Sequence, residues 1–285
     1  MISDPVPRWL ASGDEKNYAN WRARKLALYP VTLDQLYVDV ANGRSPTDRE
    51  LRQMRGLLGR YNMVLYRTPD TDESRAIPLQ LCNRFGLKTL DSNPGAAEDS
   101  VTEIRVKDSG VHGRYIPYTS SRLSWHTDGY YNSQDRQIRA MALHCVRPAK
   151  KGGENELLDI EMAYIHLRDL NPEYITALSD PDVMTIPANV LDGNTLRTAR
   201  SGPVFSVDER GNLHMRYTAR KRNILWKNTP LVKAAVKALE ALFSEKQAWI
   251  LKGALSAGEG LICNNVLHNR RAFEDDPEQP RLLYR

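Results

Sequence analysis

His126 and Asp128 place an imidazole and a carboxylate two residues apart in the segment Ser124-Trp125-His126-Thr127-Asp128-Gly129. In an extended chain residues i and i+2 project to the same side, so both groups can reach one ion. Such a pair on its own is usually an incidental surface feature. A second histidine, His268, adds weight because it ends the apolar run Gly260-Leu261-Ile262-Cys263-Asn264-Asn265-Val266-Leu267, which follows a turn-like Ser256-Ala257-Gly258-Glu259. A strand ending on His268 can pair beside the first motif. Two histidines and one carboxylate on one face of a metal leave the opposite positions open to other ligands. That is the pattern of non-heme Fe(II) oxygenases and differs from a closed zinc site. A metal hydrolase can use the same three side chains, and a non-catalytic metal-binding barrel would keep them.

Arg281 opens the run Arg281-Leu282-Leu283-Tyr284-Arg285. If the chain turns through the polar Glu274–Pro280 segment and returns as a strand, Arg281 lies near the metal on the adjacent strand. There its planar guanidinium can hold the far carboxylate of a dicarboxylate through two parallel hydrogen bonds, which lysine does less well. A surface arginine after a loop is the plain alternative. Strand alternation puts Arg270 on the His268 side and adds positive charge to the same pocket. Tyr130, Tyr131 and Asn132 directly follow the metal motif and line or cover the site.

The ordered set Ser124–Gly129, then Lys150-Lys151-Gly152-Gly153-Glu154-Asn155-Glu156-Leu157-Leu158-Asp159, then Asn265-Val266-Leu267-His268-Asn269-Arg270-Arg271-Ala272-Phe273, then Arg281–Arg285 resembles the TauD/TfdA (taurine dioxygenase-like, clavaminate-synthase-like) family of Fe(II)- and 2-oxoglutarate-dependent dioxygenases. The likeness runs from about Val101 to Arg285. It implies a mainly β chain with flanking helices around a double-stranded β-helix, or jelly-roll, core. It also implies that His126, Asp128 and His268 ligate Fe(II), that Arg281 binds the C5 carboxylate of 2-oxoglutarate, and that Arg285 contacts an anionic group of the substrate. Asn155 stands where taurine dioxygenase has a threonine that helps hold 2-oxoglutarate, and its amide can donate a hydrogen bond in that role. The reaction implied consumes O2 and 2-oxoglutarate, releases succinate and CO2, and oxidises a C–H bond of a small, anionic or zwitterionic molecule.

The elements that must position these residues are legible in outline. Asp14–Tyr29, Val31–Gly43 and Ser45–Tyr61 show apolar residues at helical spacing, the last opening on a cap-like Ser45-Pro46-Thr47-Asp48, and a further helix spans roughly Asp72 to Phe85. From Val101 the texture shifts to short Val-, Ile-, Tyr- and Thr-rich segments between turn residues: Thr102–Gly110, Gly113–Ser121, Arg122–Gly129, Ile138–Pro148 and Gly153–Ile160. Residues 1–100 thus read as a helix-rich N-terminal layer and 101–285 as the β core, with a helical insertion at about 161–245 that contains a hairpin turning at Glu209-Arg210-Gly211-Asn212. No repeat or linker divides the 285 residues, so a single domain is expected.

Bulk properties narrow the class. Net charge is +5, from 40 basic and 35 acidic residues, but Arg197–Lys227 alone holds eight basic residues against two acidic ones, a local excess of six. Without interleaved aromatics this is either a solvated face or an electropositive approach for an anion, not a base-stacking nucleic-acid surface. Cys82, Cys145 and Cys263 form no framework of pairs, which fits a reducing cytoplasm. The charged, proline-bearing start and the lack of a long apolar stretch predict a protein without signal peptide or membrane span. A homo-oligomer is expected only on general grounds.

Overall fold

The computed structural model describes residues 15–91, 100–107, 115–191, 193–244 and 247–285. Two sheets dominate it. Their strands, in chain order, are β1 (Tyr37–Asp39), β2 (Met63–Arg67), β3 (Glu103–Ile104), β4 (Leu123–His126), β5 (Met141–Arg147), β6 (Asn155–Leu158), β7 (Leu251–Gly253), β8 (Glu259–Cys263), β9 (Leu267–Arg270) and β10 (Leu282–Tyr284). The larger sheet runs β1-β2-β8-β5-β10-β3 and the smaller β7-β6-β9-β4. Every pairing is antiparallel except β1 with β2. This is the mainly β, jelly-roll architecture with flanking helices that the motifs implied.

Strand alternation explains how one sequence faces three packing layers. Met63 and Leu65 of β2 point inward and meet Leu157 and Leu251 of the smaller sheet in the space between the sheets. Val64 and Tyr66, one residue out of phase, pack outward with Met54, Ile77 and Leu81. These last residues belong to helices α2 (Asp48–Tyr61) and α3 (Ala76–Arg84). Leu158 and Leu267 turn to the outer face of the smaller sheet and join a third cluster with Leu239 and Leu242. Each large apolar side chain removed from water in this way contributes about 1.5–3 kcal/mol.

The N-terminal layer holds three helices but also two strands of the larger sheet. Helix α1 (Glu15–Leu28) is tied to the core by Lys25, whose buried ammonium donates to the Arg60 carbonyl at 2.7 Å and sits 2.5 Å from carboxylate oxygens of both Asp159 and Glu161. Helix α2 begins as expected: the Thr47 hydroxyl accepts from the Glu50 N–H and the Glu50 carboxylate accepts from the Thr47 N–H. Val31–Gly43 is a correction. Only Leu33–Leu36 forms a short 3-10 turn, and the chain then enters β1, because Val38 and Val40 are needed buried beside β2. A second correction falls at Tyr115–Ser121, read as strand. Pro117 offers no N–H for a ladder, and Ile116–Tyr118 forms a 3-10 turn instead.

The 161–245 insertion is not helical throughout. Helices α4 (Ile160–Leu170), α5 (Pro172–Leu178) and α6 (Pro230–Ser244) bracket short strands between Met184 and Trp226. Among them is the expected hairpin, Phe205–Val207 against Leu213–Met215. The expectations for residues 1–14, 108–114 and 245 lie outside the described residues. Among the described residues no helix is long and apolar enough to cross a membrane.

Two histidines outside the metal motif are buried: His144 on β5, fully, and His214, 6% exposed. Burial lowers His144 to about 4, against a smaller upward pull from Asp72 and Asp70; burial with Arg139 and Arg216 lowers His214 to about 3. Both are therefore neutral in the folded protein at a pH where the unfolded chain takes up protons. Their contribution is intact above the unfolded value near 6.5 and is lost as pH falls toward 4, by about 1.4 kcal/mol per pH unit for each histidine in that window. Melting temperatures of the metal-free protein should drop from pH 7 to pH 4.5, and His144→Gln should flatten the profile. Parallel profiles for the two proteins would contradict this.

Candidate active site

His126 is the last residue of β4 and pairs directly with His268 on β9, so two antiparallel neighbours deliver both imidazoles to one place, with ring centroids 4.2 Å apart. Asp128 follows beyond the strand end, its carboxylate 3.7 Å from His126 Nε2. One potential donor atom from each of the three residues lies within 4.8 Å of the other two. The tautomers are set from behind. His126 Nδ1 lies 2.9 Å from the Ser124 carbonyl and His268 Nδ1 2.9 Å from the Val266 carbonyl, so each Nδ1–H donates to backbone and each Nε2 keeps its lone pair for a metal. Burial and the His268 neighbour push His126 down to about 3, so the site holds it ready as a neutral ligand. Burial alone would raise the Asp128 carboxyl, but Arg285, His268 and His126 outweigh it and hold the group below its ordinary value. Two neutral imidazole nitrogens and one carboxylate fit a divalent iron with open positions.

Asn265, missed in the sequence reading, fixes the carboxylate's backbone. Its Oδ1 accepts from the Asp128 N–H at 2.8 Å, and its Nδ2 donates to the carbonyls of Asp128 at 2.9 Å and Ile138 at 2.7 Å. It is buried and left-handed, with φ of 53°. Asparagine tolerates that conformation better than most residues, and its place three residues before His268 was the available signal.

Arg285 donates to both Asp128 oxygens at 3.3 Å. Its backbone is held by a pair of hydrogen bonds with Thr102, at 2.9 and 2.8 Å. Tyr131 lies between this guanidinium and the insertion, where Arg197 sits 5.9 Å from its ring centroid; burial pushes the Tyr131 hydroxyl up to about 12. Tyr130 stands edge-on to His126, at 6.4 Å, and edge-on to Tyr131, at 5.2 Å. The Asn132 amide donates to the Arg136 carbonyl at 2.9 Å and closes the loop after Gly129. The basic segment disperses in the same manner. Arg216 is buried on the carbonyls of Met184, Gly202 and Arg200, and Lys227 pairs with Asp180 and Asp182.

Arg281 is buried, but it does not stand on a strand beside His268. It precedes β10 in the larger sheet, whereas His268 stands in the smaller one, and its guanidinium lies over the Phe273 ring. Among the described residues its Nη1 has no hydrogen-bond partner, and burial lowers its pKa. A buried cation in that state has a vacant place for an anion. Arg270 departs from the reading that made it a pocket cation. Its guanidinium is taken up by backbone: it donates to the carbonyls of Pro117, Ile116, Thr119 and Ser121, at 3.1, 3.4, 2.6 and 2.7 Å. The Asn155 amide donates to the Asn269 carbonyl at 2.7 Å, bracing β6 on β9.

The site and scaffold define a class, the non-heme iron dioxygenases that use Fe(II), 2-oxoglutarate and O2. Residues 27–285 match the family described as taurine catabolism dioxygenase TauD, TfdA family, and the chain belongs to it. It is 31% identical over 193 residues to a uridine-5'-phosphate dioxygenase from Amycolatopsis sp, a match covering 65% of this chain and 66% of the relative. It is 22% identical over 187 residues to γ-butyrobetaine dioxygenase from Homo sapiens, covering 63% and 47%. The chain thus spans about two thirds of the first relative and about half of the second. Among solved structures, the non-heme iron oxygenase OrfP in complex with Fe and α-ketoglutaric acid aligns with a TM-score of 0.55 at 16% identity, covering 83% of this chain and 81% of that one. Asparagine oxygenase in complex with Fe(II), 2S,3S-3-hydroxyasparagine and succinate gives 0.55 at 18%, covering 83% and 77%. These likenesses bear on the fold.

Proposed function

We propose that this protein oxidises a C–H bond of a small anionic or zwitterionic molecule while converting 2-oxoglutarate to succinate and CO2. The observation that supports the reading is the convergence of His126, Asp128 and His268 within 4.8 Å with each histidine Nδ1 on a backbone carbonyl, together with a buried Arg281 whose Nη1 has no hydrogen-bond partner among the described residues. His126, Asp128 and His268 would hold the iron, and Arg281 the distal carboxylate of 2-oxoglutarate. Bound iron with 2-oxoglutarate and O2 supplies the oxidising power. The chain itself supplies orientation: Asn265 fixes Asp128, backbone carbonyls fix the histidine tautomers, and Tyr130 and Tyr131 wall off water beside the reacting position.

The substrate's charge is read from Arg285. Among the described residues its hydrogen bonds go to the Asp128 carboxylate, which would be shared with iron, and this leaves donors for a substrate anion. Arg197 adds a second cation at the far side of Tyr131. Uridine-5'-phosphate and γ-butyrobetaine, which name two of the relatives, both carry an anionic group, and the phosphate ester is the better match to two arginines. The test is succinate release by the iron-loaded protein over its substrate-free background. Uridine-5'-phosphate or another small anion should stimulate release while the uncharged nucleoside does not. Equal stimulation by charged and uncharged forms would remove the anion from the proposal.

A further inference from the structure

Two arginines share one phenyl ring beneath the proposed cosubstrate site. The guanidinium carbon of Arg270 lies 4.9 Å from the Phe273 ring centroid and that of Arg281 lies 5.0 Å from it. All three residues are buried, at 3%, 5% and 8% exposure. Among the described residues Arg270 Nε and Arg281 Nη1 have no hydrogen-bond partner. The two arginines differ in how they are held: Arg270 is tied to four carbonyls, whereas among the described residues Arg281 Nη1 has no such tie.

A guanidinium stacked on an aromatic face is attracted by the ring without using its N–H groups, so its planar edge stays available to a carboxylate. The chain goes to some length to seat this ring. The Phe273 N–H donates to the Ser120 carbonyl and the Gly153 N–H to the Ala272 carbonyl, both at 3.1 Å. Gly152 and Gly153 have φ of 78° and 76°, and a Cβ on Gly152 would stand 2.5 Å from the Ala272 oxygen and 3.2 Å from the Phe273 Cα. The double glycine of the sequence motif is thus what lets residues 272 and 273 come close.

We propose that Phe273 is a positioning residue for 2-oxoglutarate: its ring aligns the edge of Arg281 with the distal carboxylate, and the carbonyl-anchored Arg270 fixes the ring. The inference rests on the reading of Arg281 as the cosubstrate's partner. Phe273→Leu and Phe273→Met keep an apolar side chain of similar bulk and lose the ring face; Phe273→Tyr keeps the face.

The measurement is calorimetric titration of the Fe(II)-loaded protein, without oxygen, with 2-oxoglutarate and in parallel with pyruvate, which has the 2-oxo acid but no distal carboxylate. Phe273→Leu and Phe273→Met should weaken 2-oxoglutarate binding roughly three- to tenfold and leave pyruvate binding unchanged, and Phe273→Tyr should restore the wild-type value. Unchanged 2-oxoglutarate affinity in whichever aliphatic variants fold, or equal losses for both ligands, would overturn the proposal. Arg281→Ala in the same titration separates the two levels. If it too leaves 2-oxoglutarate binding intact, the reading of Arg281 fails; if it weakens binding while the Phe273 variants do not, only the role of Phe273 fails.

Discussion

Replacing His126 or Asp128 by alanine should abolish 2-oxoglutarate-dependent turnover, with a loss of at least about a thousandfold, because a bound metal contributes several kcal/mol that no side chain here replaces. The geometry makes the effect specific. His126 and His268 pair across two strands, and Asp128 is the only carboxylate in the group of three donors that converge among the described residues. Asp128→Ala also strips Arg285 of the carboxylate it faces at 3.3 Å, but that guanidinium is partly exposed, so water replaces the partner and the fold should persist. Iron content after anaerobic loading, read beside the activity, checks the cause. Retained turnover in either variant would move the metal site elsewhere.

Arg281→Ala is expected to raise the 2-oxoglutarate requirement by about a hundredfold or more while iron content stays near wild type. Truncating one member of a buried, hydrogen-bonded charge pair costs about 2–5 kcal/mol, and Arg281 is 5% exposed with Nη1 unpartnered among the described residues. The same observation predicts the sign of the stability change in the ligand-free protein. A buried cation without its anion is a cost to the fold, so its removal should leave the melting temperature unchanged or raise it. Arg281→Lys should fall between the two, because an ammonium offers a point charge in place of a two-pronged edge. A 2-oxoglutarate requirement that does not move in Arg281→Ala would return this arginine to a packing role.

How the site divides between sequence and tertiary structure follows from what each residue depends on. The alternation that puts His126 and Asp128 on one side is a property of any extended chain, so the pair could be read before any partner was known. The Thr47 cap and the Glu209–Asn212 turn are equally local, since their hydrogen bonds close within four residues. Arg281 and Arg285 flank β10 at even spacing with Leu283 between them, and all three face inward. That much alternation alone predicts.

What alternation does not give is the sheet to which β10 belongs. Its partners, β5 and β3, lie more than a hundred residues upstream, and pairing with them puts Arg281 at the end of a strand of the larger sheet instead of on the strand beside His268. Arg270 has the spacing of a pocket residue, but four carbonyls of a proline-bearing turn about 150 residues upstream claim its guanidinium. Val31–Gly43 has helical spacing and becomes mostly turn and strand because β2 offers it an edge. Asn265 gives no sign of its role until Asp128, 137 residues upstream, is brought to it. By itself the sequence determined which groups could bind a metal and an anion, because residue type and local geometry decide that. Only the tertiary structure decided which of them face the same cavity and which are consumed by the fold, because a buried hydrogen-bonding group goes to whatever partner long-range packing delivers.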